Sequence, residues 1–235
     1  MPRYLVALCA VLGALLLLGV GWKLSKSRSF QLYGGLVTRV EMEEPLVALT
    51  FDDGPTRAGT NAVLPVLDSL GVRATFFVTG REVEQNEIEA RRIVEAGHSL
   101  GNHSYSHRRM VLRSPASIRR EVESTDALIR GAGWDGAIPF RPPYGKRLFV
   151  LPRHLHKTGR RTVLWDVEPE SDSEVAQSAA RIASHVIERV RPGSIILLHV
   201  MYPRREESRR ALPLIVSGLR KRGYRFVTVQ ELEAE

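Results

Sequence analysis

An α/β fold with a mainly parallel sheet is predicted by three features of this 235-residue chain. From residue 46 onward, short apolar runs alternate with longer stretches of helical periodicity, the pattern of strands joined by crossover helices. Seven such runs fall within the length of one domain, which favours barrel-like closure over an open sheet. Clusters of Asp, His and Arg stand where apolar runs end, as they do in barrels that build a site from strand termini. A single apolar segment precedes this pattern, so about seven barrel strands are expected behind one N-terminal hydrophobic helix.

That first segment, residues 4–22, is almost continuously apolar after Arg3. As a helix, about 19 residues span roughly 28 Å, close to the thickness of a bilayer core. No small-residue cleavage pattern follows Leu15-Leu16-Leu17-Leu18, so an uncleaved anchor is favoured over a cleaved export signal. Cys9 is the one cysteine, which excludes an intrachain disulfide and fits folding outside the cytoplasm without one. The bulky Leu8 before it does not suit lipoprotein processing. Tyr4 and Trp22 can mark the two interfaces, while Arg3 on one side and Lys23, Lys26 and Arg28 on the other leave orientation open by charge. Residues 23–44 show no strong periodicity and are read as a tether, leaving 45–235 as the folded domain.

Within that domain the strand candidates are 46–51, 74–79, 98–102, 137–141, 162–165, 194–199 and 225–229. Helical candidates at 62–69, 83–96, 115–131, 173–191 and 206–222 lie between them. In the fourth, Val175, Ala179, Ile182, Ala183, Val186, Ile187 and Val190 form one helical stripe. Pro192-Gly193 then stops the helix, and His185, beside the stripe, reads as a boundary residue without chemistry. The formal charge of +8, with many arginines near the C-terminus, favours anionic partners such as an acidic polymer or an anionic membrane surface. No interleaving of aromatic and basic residues or groove-reading motif points to nucleic acid, and none is expected as a partner.

Four clusters carry chemistry. The first apolar strand ends in Asp52-Asp53, followed by Gly54-Pro55; adjacent carboxylates repel unless a cation holds them. The pair can share one site only at the strand's end, where the turn releases strict alternation. His103 and His107 are spaced i, i+4, which on a helical turn puts both imidazoles on one face. With Asp52 or Asp53 they make a His-His-Asp set that leaves a metal one open position, and the remaining carboxylate can act as a base toward an attacking water. Arg141 opens Arg-Pro-Pro-Tyr-Gly, where two prolines remove backbone donors and leave the Tyr144 N–H to face a developing oxyanion. Arg141 itself suits pairing with the base carboxylate. His199 ends the apolar run 195–198 and is either a core histidine or a general acid near the leaving group.

Taken in order, these clusters resemble the polysaccharide deacetylases of carbohydrate esterase family 4, the NodB-homology domain, over about residues 45–232. Thr50-Phe51-Asp52-Asp53-Gly54-Pro55 matches that family's TFDDGP, His103 to His107 its H-S/T-x-x-H, Arg141 to Gly145 its R-x-P-Y-G, and Leu197-Leu198-His199 its L-x-H. The resemblance implies a distorted (β/α) barrel. It also implies that Asp52 is the base, and that Asp53, His103 and His107 hold a divalent metal, usually zinc. Arg141 would then orient Asp52, the Tyr144 N–H would complete the oxyanion hole, and His199 would protonate the leaving amine. One segment departs from the family. Trp165-Asp166-Val167-Glu168-Pro169-Glu170-Ser171-Asp172 lacks the closing Asp-Trp, leaving Asp166, Glu168, Glu170 and Asp172 as candidates to support His199. Val200 stands where an Asp commonly follows that histidine.

The expectation is a membrane-anchored, metal-dependent hydrolase outside the cytoplasm, or a secreted one if the leader is cleaved. It would remove N-acetyl groups from N-acetylglucosamine-type residues of peptidoglycan or a chitin-like polymer. The rivals are an O-acetyl esterase or small-amide hydrolase on the same scaffold, and a glycan-binding barrel without turnover.

Overall fold

The computed structural model describes residues 3–235. It opens with helix α1 (Arg3–Ser25), which is exposed along nearly all its length. Within it, Ala7–Ser25 has a mean hydropathy of 2.0, long and apolar enough to cross a membrane.

The strands are β1 (Leu36–Val37), β2 (Leu46–Asp52), β3 (Thr75–Val78), β4 (Ser99–Asn102), β5 (Thr162–Val163), β6 (Ile195–Leu198) and β7 (Arg225–Val227). Every named strand pair is parallel. β2 is central, with all seven residues buried, as expected of a parallel strand covered on both faces. Thr50 pairs with both Thr75 and Leu197, while Ala48 pairs with both Ile195 and Val227. One edge of β2 therefore carries β6, and β3 and β7 share the other. From β4 the ring continues through single bridges: Phe140 to Asn102 and Thr162, then Val167 to Ile196, back at β6. The result is a closed but irregular barrel.

Two expectations change here. The candidate strand 137–141 forms only the bridges at Phe140, because prolines at 139, 142 and 143 remove the donors a ladder needs. The segment 23–44, read as a tether, supplies β1 and lies on the barrel. Leu36 and Val37 pair with Thr162 and Val163, and the Val40 N–H donates to Gly193 O at 3.0 Å. Residues 36–40 thus fill the seam between β5 and the start of β6. Gly193 permits this close approach: its φ is +78°, and a Cβ there would lie 1.7 Å from Val40 O.

The outer helices are α2 (Arg57–Leu70), α3 (Gly80–Gln85), α4 (Glu87–Glu95), α5 (Pro115–Gly131), α6 (Val150–Lys157), α7 (Ala179–Arg189), α8 (Glu206–Lys221) and α9 (Val229–Leu232). Thr56, Thr79, Ser114, Ser178 and Thr228 cap five of them with side-chain hydrogen bonds. The candidate helix 83–96 is broken at Asn86, whose φ/ψ of −137°/52° is not helical. The candidate 173–191 begins as a short 3-10 turn, and the α-helix starts only after the Ser178 cap.

Strand alternation sorts the core. Val47, Leu49 and Phe51 face the helices, together with Phe76, Val78, Ile196 and Leu198. Leu46, Ala48, Phe77, Ile195 and Leu197 face the barrel interior, closed below by Val229 and Leu232 of α9. The period of two that puts Ala48 inside also puts Thr50 and Asp52 there. The interior therefore turns from apolar to polar toward the C-terminal ends of the strands.

Candidate active site

Asp52 is the last residue of β2 and is buried. Its Oδ1 accepts from Arg141 Nη1 at 2.6 Å, and its Oδ2 lies 3.6 Å from His103 Nε2. The fully buried Arg141 also donates from Nη1 to Thr50 Oγ1 (2.9 Å) and from Nη2 to Leu164 O (2.9 Å), with Phe77 stacked 3.9 Å beneath it. Burial alone would raise the Asp52 carboxyl, but the Arg141 guanidinium above all, with His199, outweighs it and holds it below the usual carboxylate range. The group is thus an anion at neutral pH, with its second oxygen free of Arg141.

Asp53 leaves the strand with φ of 73°, a left-handed conformation that swings its carboxylate to the same side as Asp52. Glu82 of α3 holds the turn, accepting from the Gly54 N–H at 2.7 Å and from Thr79 Oγ1 at 2.8 Å. Asp53 Oδ1 lies 3.3 Å from His107 Nε2.

The two histidines do not sit on a helical turn as the spacing suggested. Ser104 and His107 have φ of 66° and 54°, so the chain loops instead of winding. Glu121 of α5 organises that loop, accepting from the N–H groups of Tyr105 (3.0 Å) and Ser106 (2.8 Å) and from Ser106 Oγ (2.6 Å). The rings still meet, with centroids 4.9 Å apart. The His103 Nδ1–H donates to Arg141 O at 2.7 Å; since a carbonyl only accepts, Nε2 keeps its lone pair. Burial pushes the His103 pKa down and keeps the ring neutral.

One donor atom from each of Asp53, His103 and His107 lies within 4.8 Å of the other two. Two imidazoles and a carboxylate, one ring's tautomer fixed by a carbonyl, suit a divalent cation and leave it an open position. The donor set and its spacing fit one divalent ion.

Tyr144 follows Pro142-Pro143 with φ of 59°. Its N–H has no acceptor among the described residues, while Gly145 and Lys146 donate back to Pro142 and Pro143. Its ring lies 4.9 Å from that of His107 and is 56% exposed.

His199 lines the same cleft as Asp52. Its Nδ1 meets Glu170 Oε2 at 2.5 Å, and the same oxygen accepts the His199 backbone N–H at 2.9 Å. The Glu170 side chain is buried and also receives the Ser208 hydroxyl. Burial pushes the His199 pKa down, but the Glu170 bond and charge, with Asp52 and Asp53, carry it above the ordinary value. Sequence left four carboxylates open for this place, and Glu170 occupies it. Asp166 instead bonds Ser194 Oγ and the Ile195 N–H, Asp172 caps the turn at Glu174 and Val175, and Glu168 lines the cleft. The spacing held no signal for this choice, because Pro169 and the following turn break strand alternation. Glu82 and Glu121 were equally hidden, since each acts from a helix on a distant loop.

These groups line a cleft of about 880 Å³, with Trp165, Leu197 and Tyr144 among its walls. The polysaccharide deacetylase family model matches residues 39–163. The chain belongs to the polysaccharide deacetylase family. This family member is 32% identical over 200 residues to a peptidoglycan-N-acetylglucosamine deacetylase of Bacillus cereus, covering 84% of this chain and 93% of the relative. A solved structure of the Bc1960 peptidoglycan N-acetylglucosamine deacetylase superposes with a TM-score of 0.77 at 31% identity, over 83% of this chain and 91% of that one. The barrel also resembles BA3943, a CE4 family pseudoenzyme from Bacillus anthracis, with a TM-score of 0.74 at 26% identity, over 83% and 67%.

Proposed function

We propose that this family member removes N-acetyl groups from N-acetylglucosamine-type residues of a polysaccharide outside the cytoplasm. The observation that carries the reading is a pair of dyads that open on the same cleft as the Asp53-His103-His107 cluster. Asp52 with Arg141 is anionic, and His199 with Glu170 favours a bound proton.

In this reading Asp52 takes a proton from the attacking water, whose oxygen adds to the acetyl carbonyl. The carbonyl oxygen becomes an oxyanion, and the Tyr144 N–H donates to it. Arg141 keeps Asp52 ionised and aimed. As the tetrahedral carbon collapses, the C–N bond breaks and protonated His199 gives its proton to the leaving nitrogen. Acetate and a free amine result. A divalent cation on Asp53, His103 and His107, with zinc best suited to the donors, supplies Lewis-acid stabilisation of the developing negative charge. Trp165 and Leu197 offer apolar surface for the acetyl methyl group. Helix α1 would hold the catalytic domain at the outer membrane surface.

The test is acetate release from chitooligosaccharides, peptidoglycan fragments and acetylxylan by metal-loaded protein. Release from the first two supports N-deacetylation, and release from acetylxylan alone moves the reading to an O-acetyl esterase. Glycan bound without any release marks a binding barrel. Asp52→Asn is expected to retain the cation in metal analysis and to lose at least about 100-fold in kcat.

A further inference from the structure

Among the cleft cations that the mechanism does not use, one comes from the segment that precedes the barrel. Arg28 lies three residues beyond the end of α1, yet it lines the same cleft as Asp52, His103 and His199. Its placement is fixed from both sides. Ser25 is buried, and its carbonyl accepts the Arg147 N–H at 2.9 Å. The Arg147 guanidinium, 1% exposed, donates to Phe30 O (3.2 Å), to Gln31 Oε1 (3.2 Å) and to Gly145 O (3.0 Å). One buried arginine thus ties the stretch holding Arg28 to the residue after Tyr144.

Between those ties, the Arg28 guanidinium lies 4.9 Å over the Trp165 ring. It is exposed and has no hydrogen-bond or ion-pair partner among the described residues. Of the other cleft arginines, Arg205 lies 3.6 Å from Glu170 and Arg204 stacks on Tyr202, while Arg81 is carried by α3 and stacks on no ring among the described residues. A guanidinium resting on an indole keeps its planar fork of N–H donors free at the edge, the geometry that takes a carboxylate two bonds at a time. The Arg147 clamp holds the backbone on both sides of Arg28, which lowers the ordering cost a substrate would meet.

We infer that Arg28 is a substrate-binding residue for a carboxylate on the glycan, and that this protein acts on an acidic N-acetylated polymer in preference to a neutral chitin-like one. The inference rests on the deacetylase reading and adds the substrate class to it. The segment following the membrane helix is then a wall of the active site and not a spacer.

The experiment uses the full chain in nanodiscs of neutral phosphatidylcholine. The probe is a peptidoglycan-derived tetrasaccharide with free lactyl carboxylates, compared with the same sugar after methyl esterification. The wild type is expected to prefer the acid by about 10-fold in KM, as one charge-assisted pair predicts. Arg28→Ala should erase that preference, and Arg28→Lys should restore only part of it because an ammonium lacks the fork. An equal preference for acid and ester in the wild type, or an unchanged preference in Arg28→Ala, overturns the inference. So does a preference that appears only when phosphatidylglycerol replaces the neutral lipid, since Arg28 would then serve the membrane. Calorimetric binding of acid and ester is measured alongside. If no acetate is released from any sugar the deacetylase reading falls, and the binding comparison still decides whether Arg28 selects the carboxylate.

Discussion

Asp52 and His199 each depend on a partner that sets their protonation. Glu170 decides the state of His199, because a hydrogen-bonded buried carboxylate offsets the desolvation that would otherwise strip the ring of its proton. Glu170→Gln keeps the shape and removes the charge. It should move the basic limb of the kcat/KM profile to lower pH and slow the reaction at pH 7.5 by about 10- to 100-fold; a pH–rate profile of both proteins checks this, with an unmoved limb as the contrary result. The clusters holding Asp52, Asp53, His103, His107, Arg141, Tyr144 and His199 stand out in sequence because five of these residues adjoin a turn-forming Gly, Pro or Ser, while Asp52 and His199 close apolar runs. Glu170 was legible only as one of four, since choosing it requires knowing how a proline-broken loop folds back on α8.

Between elements, the barrel works by close approach. Gly101 of β4 faces Phe77 of β3, and a Cβ there would lie 2.6 Å from the Phe77 ring. Phe77 is the surface on which Arg141 rests. Gly101→Ala should therefore cost about 1–3 kcal/mol of stability through overpacking and lower kcat as well, by tilting Arg141 against Asp52. Denaturant unfolding and steady-state rates measure the two effects separately. The same logic explains the misjudged elements. The run 137–141 looks like a strand by composition but lacks donors, whereas Leu36–Val37 is too short to show a period and becomes a strand only because the seam beside β5 accepts it.

For the molecule as one cooperative unit, a buried histidine far from the cleft sets an acid limit. His98 precedes β4 against Phe76, and its Nδ1 accepts the Ala74 N–H at 3.3 Å. Burial, aided by the nearby Arg73 charge and opposed by Asp68, lowers its pKa from 6.5 to about 4. The unfolded chain then binds the extra proton between those values, so stability is complete above pH 6.5 and falls as pH drops toward 4. The loss amounts to about 3 kcal/mol. Urea titrations across that window should show the fall in wild type and a flatter curve in His98→Gln; parallel curves would place the acid sensitivity elsewhere. Alternating patterns and strand-end clusters were enough to read an α/β barrel, an apolar leader and seven candidate residues that the fold brings to one end of the strands, since those signals are local. The docking of residues 23–44, the Glu170 partnership and the arrival of Arg28 in the cleft were decided by long-range closure, for which adjacent residues carry no periodic trace.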